Sequence, residues 1–103
     1  MKKLMIVAAL FAAQAQADCK NVEVIAKSIM EARQAGVAAS EIVQIIDSEM
    51  AGQPKMQKAA KVLLVEAYKK PRFDVESYQL QAVNDFSNEW YIMCLQQTAS
   101  KQI

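Results

Sequence analysis

The 103-residue sequence contains no histidine and only two glycines, two prolines and two cysteines. The absence of histidine removes the commonest general base and the commonest metal ligand. Two separated glycines cannot form a glycine-rich phosphate loop, and no serine lies in a Gly-x-Ser-x-Gly turn. Twelve basic and eleven acidic residues nearly balance, so no basic block is present to bind nucleic acid. We therefore expect no enzyme activity, no catalytic residues, no metal and no cofactor.

The segment 1–17 has the pattern of a cleaved export signal. Lys2 and Lys3 form a positive start, residues 4–13 are an uncharged apolar run, and Ala15-Gln16-Ala17 matches the small-x-small cleavage pattern. Ten residues rise about 15 Å as a helix, which is half of a bilayer core. The pattern predicts cleavage after Ala17, and the alternative is a buried N-terminal core helix.

The residue before Cys19 decides between a soluble protein and a lipoprotein. Lipid attachment requires cleavage directly before the cysteine and after a small residue, but Asp18 occupies that place. We therefore predict a periplasmic protein of a Gram-negative cell, with no stable membrane anchor after the signal is removed. Residues 18–103 remain as one small domain.

Export changes the interpretation of the two cysteines. An even pair in an oxidising compartment is most often a disulfide, and Cys19 and Cys94 enclose most of the chain that follows the signal. In the chain-entropy model a loop of this length contributes about 4–5 kcal/mol of stability. The alternatives are a redox pair or a thiolate metal site, which usually need closer spacing or further ligands. We predict a structural Cys19–Cys94 disulfide.

Apolar residues recur at helical spacing in four segments, which the glycines and prolines separate. The first helix is predicted from about Lys20 to Ala35, with Gly36 after it, and the second from an N-cap at Ser40 to Gly52. The third is predicted to start at Pro54 and to stop at Pro71, and the fourth to run from an N-cap at Asp74 to about Gln97. The pattern predicts an all-α fold, a small bundle of about four helices closed by one disulfide.

The spacing also predicts which helix faces are buried. Arg33 and Gln34 lie where they can bond the terminal carbonyls of the first helix, with Gln34 on its outward side. The run Val62-Leu63-Leu64-Val65 is apolar nearly all round, which predicts that the third helix is the most enclosed. Phe73 and Tyr78 occupy the two positions of a hydrophobic staple at the start of the fourth helix. The predicted inward residues of the first two helices are Val22, Ile25, Ala26, Ile29, Ile42, Ile45 and Ile46.

Two charged groups have ordinary surface spacing. Asp85 and Glu89 are four residues apart, so they share a helix face and are predicted to be solvated, with proton sharing as the alternative. Lys55, Lys58 and Lys61 form a short cationic strip. A solvated face is predicted there, and contact with acidic lipid is the alternative, since three lysines are few for stable membrane binding.

The run from Trp90 to Leu95 is apolar all round its helix. If Trp90 and Cys94 face the core, their neighbours Tyr91 and Leu95 lie roughly 100° away from them. Either the first helix and the tail cover both sides, or Tyr91, Ile92 and Leu95 form a patch for a protein partner or for self-association. Arg72, in the turn before the fourth helix, is the candidate polar anchor of that patch.

Four stretches of the sequence form a recognisable pattern. They are Cys19, then Ile29-Met30-Glu31-Ala32-Arg33-Gln34-x-Gly36, then Ala67-Tyr68-x-x-Pro71-Arg72-Phe73, then Phe86-x-x-x-Trp90-x-x-x-Cys94. This pattern resembles a group of small exported proteins of gammaproteobacteria and of their phages and prophages. The resemblance covers most of the chain after the signal and implies export, paired cysteines and a phage-related origin. It implies no activity.

These observations predict a small periplasmic factor that works by binding a protein rather than by catalysis. Such a factor is an inhibitor, an immunity-type protein or a phage-derived modulator of the envelope. The alternative is a holdase similar to the acid-activated chaperones of enteric bacteria, which are also small, helical and disulfide-linked. A holdase of this kind opens at low pH and exposes apolar surface.

Overall fold

The computed structural model describes the backbone of residues 2–102 and the side chains of residues 18–97, and it confirms the all-α fold. Its helices are α1 (Lys2–Gln34), α2 (Ala39–Glu49), α3 (Pro54–Lys69) and α4 (Glu76–Gln102). Nowhere in the described residues does a helix contain a stretch apolar and long enough to span a bilayer. The predicted signal peptide and its cleavage site lie outside the described side chains, so both stay predictions.

Helix α1 is the centre of the bundle. α4 makes the most extensive contact with α1, α3 packs on another side of it, and α2 packs mainly on α3. The predicted disulfide is present, since Cys19 of α1 and Cys94 of α4 are bonded with their Cα atoms 5.5 Å apart. Phe73, just before α4, bonds to Gln34 at the carboxyl end of α1, whereas Cys19 lies in the middle of that helix. α1 and α4 are therefore antiparallel and are joined at two places.

One apolar core lies among the four helices. Every helix contributes residues that are almost completely removed from water, and burial of each large aliphatic or aromatic side chain stabilises the fold by about 1.5–3 kcal/mol. The buried residues of this core are Ala26, Ile29, Met30, Ile42, Ile46, Ala60, Leu63, Leu64, Ala67, Val83 and Phe86.

Helix α1 ends as the sequence predicts. Gly36 has a φ of +83°, which is the left-handed conformation that glycine adopts most easily. The amide of Val37 donates to the carbonyl of Ala32, and the amide of Gly36 donates to the carbonyl of Arg33. This pair of bonds is the Schellman motif, which satisfies carbonyls that the helix itself leaves open.

Helix α2 differs from the prediction at its start and on one face. Its N-cap is Ala38, with an extended backbone and no side-chain cap, so Ser40 lies inside the first turn and the predicted cap is wrong. Ile45 is 49% exposed, although the apolar stripe placed it in the core. α2 packs mainly against α3, so only Ile42 and Ile46 become fully buried.

Helix α3 begins with Pro54, as predicted, but it is not the most enclosed helix. Leu63 and Leu64 are buried, whereas Val62 is 48% exposed and Val65 is 54% exposed. The extensive contacts of α3 are with α1 and α2, so within the part of the chain that the structure describes no helix packs extensively on its opposite side. An apolar run shows which side chains are apolar, and it does not show how many helices surround them.

Helix α4 starts at Glu76, one residue later than an Asp74 cap requires. The carbonyl of Val75 accepts the first helical bonds, from the amides of Tyr78 and Gln79. The Gln79 side chain also donates to the carbonyl of Phe73. The contact predicted between Phe73 and Tyr78 is present, because the two rings pack edge to face with centroids 6.1 Å apart. The later start of α4 places these residues at N″ and N3, however, and not at the N′ and N4 positions of a staple.

Candidate functional site

The predicted partner patch on α4 is partly covered by α1. The ammonium of Lys20 lies 5.7 Å from the centroid of the Tyr91 ring, and Tyr91 and Leu95 are half-buried. Ile92 remains open and is 53% exposed. The sides of this helix are therefore covered unequally, and the exposed apolar area at this place is centred on Ile92. The binding of a partner there stays a prediction.

The structure does not bring Arg72 to that patch. Its Nε donates to the carbonyl of Gln34 over 3.0 Å, at the carboxyl end of α1, whereas Tyr91 lies beside Lys20 near Cys19. Fifteen residues of helix separate Cys19 from Gln34, which is about 22 Å. The Arg72 guanidinium instead lies against Gly36, where an added Cβ would approach its Cζ to 3.0 Å.

Gln34 is the centre of a polar network that we call the clasp, formed by residues 33–37 and 68–73. Its side chain is only 3% exposed, although the helical pattern placed it outside. Its Nε2 donates to the carbonyl of Pro71 over 2.9 Å, and its Oε1 accepts from the amide of Phe73 over 2.9 Å. Gln34 thus bonds a non-helical loop in the way that a neighbouring strand would.

Arg33 and Tyr68 complete the clasp. Arg33 donates through Nε and Nη2 to the carbonyl of Lys70, over 3.2 and 3.1 Å, and its guanidinium lies 5.2 Å from the centroid of the Tyr68 ring. The Tyr68 hydroxyl donates to the carbonyl of Val37 over 2.6 Å. Burial raises the pKa of this hydroxyl above its ordinary value, although the charge of Arg33 opposes the rise.

The clasp gives a structural reason for two of the four stretches that carry the resemblance. The prediction that Arg33 and Gln34 bond the terminal carbonyls of their own helix is wrong. Their side chains donate instead to the carbonyls of Lys70 and Pro71 in the loop before α4. Residues 29–36 and 67–73 are therefore two halves of one joint between α1 and the loop before α4. No ligand is required to explain these residues.

Asp47, the other residue whose pKa is shifted, links α2 to α3. Its Oδ1 accepts from Nζ of Lys61 over 2.8 Å and from Nε2 of Gln57 over 2.8 Å. The bond from Lys61, followed by that from Gln57, lowers the pKa of the Asp47 carboxyl. Lys61 is thereby turned to Asp47, while Lys55 and Lys58 are exposed. Asp85 and Glu89 are exposed on α4, as predicted for a solvated face.

An apolar groove of about 320 Å³ runs between α1 and α2, and we call it the α1–α2 groove. Its floor is made of core isoleucines, and its rim carries Val24, 57% exposed, and Ile45, 49% exposed. The residues that line it are Val24, Ile25, Ser28, Ile29, Ile42, Ile45, Ile46, Glu49 and Met50.

Sequence reasoning missed this groove, although the sequence carries a signal for it. Val24-Ile25 and Ile45-Ile46 are adjacent apolar pairs. Neighbours on a helix point about 100° apart, so one member of each pair faces the core while the other remains on the surface. Two such pairs on packed helices predict an apolar channel between them.

A smaller cavity of about 230 Å³ lies where α1, α4 and the loop before α4 meet. Met30, Phe73 and Phe86 give it an apolar lining, and Asp85 and Glu89 are exposed charged residues beside it. This volume is below the roughly 300–1,000 Å³ typical of small-molecule sites. The cavity therefore has room for about one side chain and not for a larger ligand.

No family model matches the chain, and searches of the curated proteins and of the solved structures return no significant match. Evidence about function therefore comes from the surfaces of this chain alone.

Proposed function

We propose that this chain is an exported, non-enzymatic factor that binds a protein partner, and that the α1–α2 groove receives an amphipathic helix of that partner. The partner-binding class includes an inhibitor, an immunity-type protein and a phage-derived modulator of the envelope. The observation that carries the proposal is the exposure of Val24 and Ile45 above a continuous isoleucine floor.

The shape and chemistry of the groove favour a helix as its occupant. Two helices form its walls, and branched aliphatic residues line it. Grooves of this kind take the apolar face of a partner helix, whose anchors recur at positions i, i+3 or i+4, and i+7. The volume of about 320 Å³ accommodates a few such anchors rather than a long stretch of chain.

Charge on α2 indicates the character of the partner. Glu41, Asp47 and Glu49 are the only charged residues of this helix. Lys61 bonds Asp47, whereas Glu49 lines the groove itself. We therefore expect basic residues beside the apolar anchors of the partner, because complementary charges speed encounter and fix register.

Export belongs to the same proposal. The disulfide is compatible with an oxidising compartment, where such bonds persist. The predicted patch around Ile92 lies on α4, outside the groove, and is a second contact area in this proposal. Tyr91 and Leu95 contribute less to it than Ile92, because both are half-buried.

The test is site-specific photo-crosslinking at Ile45 in the full chain, expressed with its signal in the bacterium of origin. We expect one discrete adduct, whose protein is identified by mass spectrometry and then purified for binding measurements. The change Val24→Gln with Ile45→Gln should weaken binding at least tenfold. The matched control is Val75→Gln with Leu80→Gln, since Val75 is 51% exposed, Leu80 is 59% exposed and both lie outside the groove.

Two results would overturn the proposal. Equal loss of binding in the groove variant and in the control with Val75→Gln and Leu80→Gln would remove the groove from the function. Adducts with many unrelated proteins, increasing at acidic pH, would replace the specific partner with the holdase alternative.

A further inference from the structure

The side of α3 turned away from the core carries a stripe of lysine and valine on which no described helix packs extensively. Lys58, Val62, Val65 and Lys69 follow the spacing i, i+4, i+7 and i+11, which places them along one face of the helix. All four are exposed. The stripe differs from the cationic strip expected from the sequence, because Lys61 is turned to Asp47 and Lys69 takes part instead.

Positive charge is concentrated on α3. This helix contains four lysines against one acid, Glu66, and that acid is paired with Lys69 over 3.2 Å. Among the described side chains, the charged residues of α2 and α4 are all acidic. The chain from residue 18 onward carries ten basic and eleven acidic residues, so its net charge does not attract an anionic surface. Any such attraction must come from the lysines concentrated on α3.

We propose that the lysine–valine stripe of α3 docks reversibly on an anionic lipid surface. Lysine stems extend along apolar surface while their ammonium groups reach water or phosphate, so Lys58 and Lys69 can hold headgroups at the two ends while Val62 and Val65 contact the interface between them. A depression of about 540 Å³ runs along this face and leaves room for a headgroup. It is lined by Pro54, Gln57, Lys58, Lys61, Val62, Val65 and Glu66, and the single acid in this lining is the one that Lys69 pairs.

The kind of cation favours lipid over an acidic protein. Protein interfaces are enriched in arginine and depleted in lysine, because the guanidinium matches a carboxylate with two parallel bonds. The cations of α3 are all lysines. The two arginines of the chain, Arg33 and Arg72, are both engaged in the clasp. This surface is separate from the α1–α2 groove, so its test is independent of the proposed partner.

The test is co-sedimentation of the protein, purified from the periplasm with its disulfide intact, with vesicles of pure phosphatidylcholine or of phosphatidylcholine with one third phosphatidylglycerol. We expect binding only to the phosphatidylglycerol vesicles, and weakening between about 20 and 300 mM salt. Each lysine near an anionic surface is worth about fivefold in partitioning. The double change Lys58→Gln with Lys69→Gln should therefore lower binding by about 25-fold.

The chain offers a closely matched control in Lys20→Gln with Lys27→Gln on α1. Lys20 forms an i,i+3 pair with Glu23, as Lys69 does with Glu66, and Lys27 is exposed like Lys58. Both double variants remove the same charge from exposed helical positions, and circular dichroism verifies that both fold. We expect the α1 variant to retain most of the binding. Val62→Gln with Val65→Gln should weaken binding without changing its salt dependence.

Three outcomes would overturn the proposal. No sedimentation with phosphatidylglycerol vesicles at low salt would exclude the lipid surface. Equal losses in the α1 and α3 double variants would mean that overall charge acts, and not the stripe. Binding to soluble polyglutamate without binding to vesicles would assign the stripe to an acidic protein.

Discussion

α1 and α4 are joined at two places by different chemistry. At the first, in the middle of α1, a covalent bond links Cys19 to Cys94. At the other, about 22 Å away along α1, the clasp links Gln34 to the loop before α4 through hydrogen bonds to Pro71 and Phe73. The same two helices are thus fixed once by a single bond and once by a set of weaker ones.

The two joints stabilise the fold through different states of the chain. The disulfide acts mainly by restricting the unfolded chain, since it joins cysteines that lie 75 positions apart in the sequence. The clasp acts in the folded chain, where it pairs carbonyls and amides that the loop around Pro71 leaves without helical partners. A buried polar group costs more when it loses its partner than the bond contributes when it is made.

The largest effect is expected from removing the covalent joint. Cys19→Ser with Cys94→Ser should lower the free energy of unfolding by about 4–5 kcal/mol, out of roughly 5–10 kcal/mol for a domain of this size. Urea unfolding followed by circular dichroism measures the change, with reduced wild-type protein as the comparison. A loss below about 1 kcal/mol would mean that the clasp and the core alone hold α4 in place.

The next largest effect is expected at the centre of the clasp. Gln34→Leu keeps a similar volume but leaves the amide of Phe73 and the carbonyl of Pro71 without their partner, which should cost about 2–3 kcal/mol. Gln44→Leu on the exposed face of α2 is the control and should change stability by less than about 0.5 kcal/mol. Equal effects of the two substitutions would contradict a structural role for the clasp.

The two joints also differ in how far the sequence predicts them. Cysteine pairing requires only an even count and an oxidising compartment, so Cys19–Cys94 is predictable from the sequence alone. The clasp requires knowing that the loop around Pro71 returns to the end of α1. Helical spacing placed Gln34 outside, because such spacing describes one helix and contains no information about a loop two helices further along the chain.

The same limit explains the surfaces. Periodicity located the four helices and part of the core, including Ile29, Ile42 and Ile46. It failed for Ile45, and the apolar run failed for Val62, because both residues lie on helices with extensive neighbours on one side only. The number of neighbours is a property of the assembled bundle, and both candidate surfaces, the α1–α2 groove and the stripe on α3, arise from it.

A smaller effect is expected at Gly36, where the clasp meets the end of α1. Gly36→Ala forces alanine to a φ of +83°, which costs about 1–2 kcal/mol, and it brings Cβ to 3.0 Å from the Arg72 guanidinium. Comparison with Arg72→Ala and with the double variant in a thermal unfolding cycle separates backbone strain from crowding. If strain dominates, the cost of Gly36→Ala stays the same in the Arg72→Ala background, and a cost that vanishes there would assign it to crowding.

The smallest effect is expected at the outer edge of the clasp, and it depends on pH. Tyr68→Phe removes the bond to the Val37 carbonyl and should lower the free energy of unfolding by about 1 kcal/mol at pH 7. Because burial raises the pKa of Tyr68 in the folded chain, the unfolded chain loses this proton first as pH rises. The contribution of the hydroxyl is therefore complete below the unfolded pKa, near 10, and is lost as pH rises through the folded value. Urea unfolding at pH 7, 9, 10.5 and 11 should show wild type and variant converging at the alkaline end. A constant difference across this range would mean that the Tyr68 hydroxyl is as exposed to water in the folded chain as in the unfolded one.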